Sequence, residues 1–156
     1  MRAILLAAAL AFSQPAFAGW ELSRSGAVAT LAALDGPAAL RVSCLDGRLV
    51  PALTFKSSIV PAAGLGDVRT VVRYDNEPPR TATVPLSANG RDLWVWHSNP
   101  SAGIRRLEKA RRLRVQVSPQ GADAFEVEFD LSGMGDTLRQ LPCQPMYRKA
   151  PPMSAQ

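Results

Sequence analysis

The sequence predicts a mainly β protein: an antiparallel β-sandwich of about seven to nine short strands with two short helices. Apolar and polar residues alternate in many short segments, most regularly in residues 125–131, where the polar positions are Glu126, Glu128 and Asp130. Turn-forming residues separate these segments at short intervals. The strand–helix–strand rhythm typical of a parallel sheet is missing. Together these observations favour two stacked antiparallel sheets.

The first eighteen residues have the layout of a secretory signal peptide. Arg2 gives a positive start, residues 3–12 are apolar, and Ala16-Phe17-Ala18 is a small-x-small cleavage site. No later apolar run approaches the ~18 residues that a membrane span needs. We therefore expect a signal peptide at 1–18, one β-sandwich domain at 19–143 and a disordered, proline-rich tail at 144–156. The expected location is periplasmic or secreted.

The first half of the domain reads as paired strands. Asp46-Gly47 predicts a two-residue hairpin turn, because both positions accept a positive φ. Pro51 weakens the ladder of the returning strand, since proline has no backbone N–H. Residues 57–66 read as a loop. Strands are predicted in this half at residues 20–25, 27–33, 40–44 and 49–55.

The second half contains further alternating segments. If the segments 113–117 and 125–131 pair as a hairpin, the acidic face of 125–131 would lie opposite Arg114 and Gln116, which is a favourable cross-strand arrangement. Strands are predicted in this half at residues 68–74, 81–86, 93–97, 113–117 and 125–131.

Two helices are predicted from capping signals. Asn99-Pro100-Ser101 begins the first helix, which reaches about Ala110, because proline in the first turn loses no hydrogen bond. Ser132 caps the second helix, which reaches Leu141, and Pro142 ends it.

Cys44 and Cys143 are the two cysteines of the chain, 99 positions apart. In an oxidising compartment such a pair usually forms a bridge. A bridge over this distance would remove ~4–5 kcal/mol from the unfolded state in the chain-entropy account. Two free thiols or a redox pair are the alternative, although no Cys-x-x-Cys motif is present. One histidine and two distant cysteines do not make a zinc site, and we expect no metal or cofactor.

Several short segments follow one another in a recognisable order: residues 40–44 with Asp46-Gly47, 72–75, 93–96, 113–115, 129–133 and Cys143. In this order the chain resembles periplasmic accessory proteins of bacterial type VI secretion (the VasI/TagO type) and, more loosely, the invasion-associated locus B proteins. The similarity spans about residues 20–143. It implies an envelope accessory role by binding, and it gives no catalytic residues to carry over.

Positive charge is concentrated in one block. Six of the ten residues at 105–114 are Arg or Lys, against Glu108 alone, while the whole chain carries +5. Helix geometry would align Arg105, Lys109 and Arg112 along one exposed side, with Arg106 beside them. Such a stripe attracts anionic surfaces; the alternative is a solvated helix face. The candidate binding cations are Arg105, Arg106, Lys109, Arg111 and Arg112.

Trp94, Trp96 and His97 complete the candidate residues. If exposed, the two tryptophans could form a binding platform. Leu93 and Val95 make the opposite face apolar as well, which favours burial in a central strand covered on both sides. His97 has no evident nucleophile or carboxylate partner and reads as a solvated strand-end residue.

These features predict an exported accessory or interaction domain without catalytic activity, whose partner is an unidentified envelope protein or an anionic envelope surface. One alternative is a binder of lipopolysaccharide or membrane phosphates through the basic helix. A small cell-wall hydrolase is a further alternative, weakened by the lack of a catalytic constellation. Export argues against a nucleic-acid partner.

Overall fold

A computed structural model describes residues 19–61 and 66–143 and confirms the mainly β fold. In these residues, nine strands form two antiparallel sheets, with two short helices. The predicted signal peptide and tail lie outside the described residues. The elements are β1 (Trp20–Leu22), β2 (Val28–Ala32), β3 (Ala38–Leu45), β4 (Arg48–Phe55), β5 (Asp67–Tyr74), β6 (Arg80–Pro85), β7 (Asp92–Leu93), α1 (Pro100–Lys109), β8 (Arg112–Ser118), β9 (Phe125–Asp130) and α2 (Met134–Arg139).

The chain moves repeatedly between the sheets. The first sheet has the order β1-β2-β3-β4-β7 and the second the order β6-β5-β8-β9. After β6 the chain returns to the first sheet as β7, and α1 then carries it back to β8 in the second sheet. No helix in the described part of the chain is long and apolar enough to cross a membrane.

The alternating strands direct their apolar side chains into one shared core. Leu40 and Leu53 of the first sheet and Phe129 of the second are fully buried in the same cluster, joined by Ile104 and Leu107 of α1. Burying a side chain of this size contributes about 1.5–3 kcal/mol. This core fixes α1 against the sheets and thereby positions the charged residues on its other side.

The turn and cross-strand predictions are confirmed. Asp46 and Gly47 have φ angles of 49° and 73° at the β3–β4 hairpin. In the β8–β9 pair, Arg114 lies opposite Glu128 and Gln116 lies opposite Glu126. The predicted acidic face therefore does meet its basic partner.

The predicted bridge is also present. Cys44 on β3 is bonded to Cys143, just after α2, with 5.8 Å between their Cα atoms. The bond ties the last described residue to a strand inside the first sheet.

Two local predictions are wrong. Ser132 does not cap α2: its backbone N–H and its hydroxyl both donate to Asp130 Oδ1, at 3.0 and 2.6 Å. Gly133, in the left-handed region with φ 77°, occupies the cap position instead. The helix also ends at Arg139 and does not reach Leu141.

The predicted tryptophan strand is wrong as well. The strand β7 ends at Leu93, pairs with β4 and lies at the edge of its sheet. The chain then turns, with His97 N donating to Trp94 O at 3.1 Å. This turn directs the Trp96 indole towards the second sheet, which a continuous strand would not do.

Candidate functional site

A groove of about 690 Å³ opens between α1, its preceding turn and the β5–β6 edge of the second sheet. Its floor is apolar and aromatic, formed chiefly by Val72, Tyr74, Val95 and Trp96. Four cations also line it: Arg80, Arg105, Arg106 and Lys109. We call this feature the basic groove.

The floor of the basic groove is held by a buried hydrogen bond. Trp96 Nε1 donates to the Tyr74 hydroxyl at 2.7 Å, and the two side chains are 8% and 4% exposed. Burial raises the pKa of the Tyr74 phenol, against the opposing effects of the Trp96 hydrogen bond and the Arg106 charge. The phenol therefore stays neutral at physiological pH, and the floor carries no charge of its own.

Gly103 of α1 is required for this arrangement. A Cβ built on Gly103 would lie 2.6 Å from two carbon atoms of the Trp96 indole, well inside van der Waals contact. Only a glycine lets the helix backbone approach the ring this closely. The helix, the indole and the phenol therefore form one packed unit under the basic groove.

Arg106 is held on this floor. Its guanidinium lies 5.1 Å from the centre of the Tyr74 ring, a distance suited to a cation–π contact. Its Nη2 also donates to Glu77 Oε2 at 2.6 Å. These two contacts fix the direction of the guanidinium, so Arg106 is a structural part of the wall as well as a charge.

The predicted basic block is divided between two surfaces. Arg105, Arg106 and Lys109 line the basic groove, but α1 ends at Lys109 and the chain becomes extended at Ala110. The prediction that Arg112 continues the helical stripe is therefore wrong.

Beyond Ala110, the residues of the basic block form hydrogen bonds and an ion pair that hold β8 in the second sheet. The Asp75 carboxylate accepts hydrogen bonds from the backbone N–H groups of Arg111 and Arg112, at 3.0 and 2.8 Å. The Arg112 side chain pairs with Glu128 at 2.9 Å across β8–β9. Arg111 and Arg112 therefore lie outside the basic groove lining.

Arg80 lines the basic groove but was not among the predicted site residues. It stands 25 positions before Arg105 in the chain, opposite Val72 in the β5–β6 ladder. Side chains two positions apart share a face of a strand, so Val72 and Tyr74 point the same way. The hairpin register of β5 and β6 is the signal that could have placed Arg80 beside them.

The remaining candidates contribute less. Trp96 is buried as predicted, whereas Trp94 is only half-buried and lies outside the groove lining. His97 is exposed, and its Nδ1 lies 3.1 Å from Trp94 O. Across residues 19–61 and 66–143, no cluster of three or more His, Cys, Asp or Glu side chains could hold a metal ion.

No protein family, curated protein or solved structure matched this chain. The similarity to the type VI secretion accessory proteins therefore stays a hypothesis.

Proposed function

We propose that this chain is an exported accessory domain of the cell envelope that binds an anionic ligand in its basic groove. The observation that carries the proposal is the composition of the lining: four cations stand over an aromatic floor, and no acidic side chain is among the lining residues that the structure describes. This lining is suited to a ligand that carries both negative charge and an apolar group.

Electrostatics favours an anion here for two reasons. Arg80 and Lys109 approach the opening from different elements, and neither forms an ion pair within residues 19–61 and 66–143. The apolar floor beneath them has a low polarisability, so their potential is screened less than on an open surface. A ligand anion would supply a countercharge to both side chains.

The envelope location rests on separate support. A Cys44–Cys143 bridge is typical of an oxidising compartment. The signal-like residues 1–18 and the resemblance to periplasmic accessory proteins favour the same location. Lipopolysaccharide and membrane phosphates are the anionic envelope groups that combine phosphate with an apolar part. An association with a secretion assembly is part of this proposal only through the resemblance.

The experiment measures retention on anionic vesicles containing phosphatidylglycerol and on lipopolysaccharide. The test variant is Arg80→Gln/Lys109→Gln, which removes two lining cations that form no ion pair with the described residues. The matched control is Arg48→Gln/Lys56→Gln, because both residues are exposed, lie outside the lining and remove the same charge.

We expect the groove variant to lose most of its retention and the control to keep it. Retention of the unmodified protein should also fall between 50 and 300 mM salt, since the Debye length shrinks from about 14 Å towards 6 Å over that range. Equal losses in both variants would show that only net charge matters. The basic groove would then not be the binding site.

A further inference from the structure

The longest uncovered strand edge in the described part of the chain forms one wall of the basic groove. Strand β6 is the outer strand of the second sheet, and residues 80–83 are exposed. Within residues 19–61 and 66–143, the backbone of residues 80–84 makes no backbone hydrogen bond outside the ladder with β5. An edge of this kind presents unpaired N–H and C=O groups to any extended chain that approaches.

The other sheet edges are short or covered. Leu34 N donates to Glu128 O at 2.8 Å and so occupies part of the β9 edge. Strand β1 has three residues and packs beside α2, while β7 has two. The edge of β6 is therefore the position at which a further strand could join with the fewest rearrangements.

Prolines set the length of this edge. Pro78 and Pro79 precede β6 and Pro85 ends it, and none of the three has a backbone N–H to offer. Pro85 O already accepts a hydrogen bond from Trp94 N at 3.0 Å. The available edge is thus residues 80–84, which at about 3.4 Å per residue matches a partner segment of five or six residues.

We propose that the ligand of the basic groove is an extended acidic segment of a partner protein, which adds as a strand to the edge of β6. This inference rests on the proposed function and identifies the ligand as a peptide. Alternate side chains of an added strand would lie on the same side of the sheet as Arg80 and Ala82, and so in the basic groove. Acidic residues there would meet Arg80, Arg105 and Lys109, and an apolar residue between them would lie on the Trp96 floor.

Charge distinguishes this occupant from two others. A second copy pairing β6 with β6 would bring two basic grooves together, which like-charge repulsion opposes. The tail at 144–156 contains Arg148 and Lys149 and no acidic residue, so it lacks the complementary charge. An acidic segment from a different protein would pair with the backbone edge of β6 and would also place negative charge beside the cations of the basic groove.

The experiment uses the purified full-length protein with its disulfide intact and a fluorescein-labelled, end-capped hexapeptide in which Glu, Phe and Glu alternate with Thr. Two further peptides carry N-methyl groups on the first, third and fifth or on the second, fourth and sixth backbone nitrogens. In an added strand only one of these two sets faces β6. We therefore expect one N-methylated peptide to bind about tenfold more weakly or worse, and the other to bind nearly as well as the parent.

Two further measurements accompany the titrations. Those amide protons of residues 80–84 that face away from β5 should gain protection from hydrogen exchange when the parent peptide is added. Arg80→Gln/Lys109→Gln should weaken peptide binding and Arg48→Gln/Lys56→Gln should not, and a peptide with Lys in place of Glu should not bind.

The outcomes separate this inference from the proposed function. Equal affinity of both N-methylated peptides would overturn strand addition, while groove-dependent binding of the vesicles would still support the anionic groove. Binding of the vesicles without binding of the parent peptide would do the same. Self-association through β6, blocked by the parent peptide and measured by light scattering, would assign the edge to a second copy and overturn the inference. Loss of both peptide and vesicle binding would remove both proposals.

Discussion

Gly103→Ala adds one methyl group where the backbone of α1 packs against the Trp96 indole. The new Cβ would lie 2.6 Å from the ring, where carbon atoms cannot remain. Because the neighbour is a rigid ring within a packed core, either the indole or the helix has to shift. We expect the indole to move, and the floor of the basic groove to be lost with it.

Three effects set the size of the change. Over-packing of a core costs about 1–3 kcal/mol. A displaced indole would break the 2.7 Å hydrogen bond to Tyr74, and leaving that donor buried without a partner costs about 1–3 kcal/mol more. Alanine is better than glycine inside a helix by about 1 kcal/mol, which acts in the opposite direction. We expect a net loss in the free energy of unfolding of about 1–5 kcal/mol.

Gly135→Ala in α2 is the matched control. A Cβ there meets only the Arg139 guanidinium at 3.8 Å, an ordinary contact, so this variant should be neutral or gain up to about 1 kcal/mol. Urea unfolding followed by far-UV circular dichroism measures both variants, and tryptophan fluorescence reports whether the indole becomes exposed. If Gly103→Ala is as stable as Gly135→Ala, the packed unit of helix, indole and phenol is wrong.

Three further predictions concern the frame around the basic groove. Asp75→Ala should lower the free energy of unfolding by about 1–3 kcal/mol in urea titrations, because two backbone N–H groups at the start of β8 lose their acceptor; Asp75→Asn, which keeps an acceptor oxygen, should lose less. Hydrogen bonds from Ser132 hold the pKa of Asp130 below its usual range. The Asp130 carboxylate therefore stabilises the fold above about pH 4, and this contribution is lost as the pH falls through the lowered pKa. In an NMR titration Ser132→Ala should raise the pKa of Asp130, and an unchanged pKa would contradict the assignment. Replacing Cys44 or Cys143 with Ala should lower stability by ~2–5 kcal/mol and speed hydrogen exchange in α2 first; two alkylatable thiols by intact mass without reduction would show that the bridge does not form.

The strands were predictable because their signal is local. In β5, β8 and β9 every second residue is buried, because one face of each strand packs against the core. The alternation of apolar and polar residues in 125–131 predicts such a strand without any tertiary information. The Asp46-Gly47 turn is equally local, since both residues tolerate the positive φ that the hairpin needs. Even the pairing of Arg114 with Glu128 follows once the two strands are joined by a short turn.

The two kinds of error have different causes. Residues 93–97 look like a strand, but a tertiary contact overrides that pattern: the Trp96 indole reaches its hydrogen-bond partner Tyr74 only if the chain turns after Leu93. The error at Ser132 is local, because the Asp130 carboxylate two residues earlier accepts hydrogen bonds from both the backbone N–H and the hydroxyl of Ser132.

The candidate site was predictable in part for the same reason. Arg105, Arg106 and Lys109 follow from the helical period of α1. Arg80 does not, because its place depends on the register of β6 against β5, and the end of α1 before Arg112 depends on the Asp75 carboxylate in a distant turn. The charge pattern of residues 105–114 therefore wrongly placed Arg112 in the helical stripe and gave no sign of Arg80 in the basic groove.

The path of the chain makes the basic groove a product of completed folding. Its walls come from β5 and β6, which precede β7, and from α1, which follows it. Strand β7, between the two walls in the chain, belongs to the first sheet, and α1 also packs against β4 of that sheet. A ligand of the basic groove therefore binds the folded domain, and should raise its melting temperature as the ligand concentration rises above Kd. Occupancy of the basic groove would therefore report that the domain has folded.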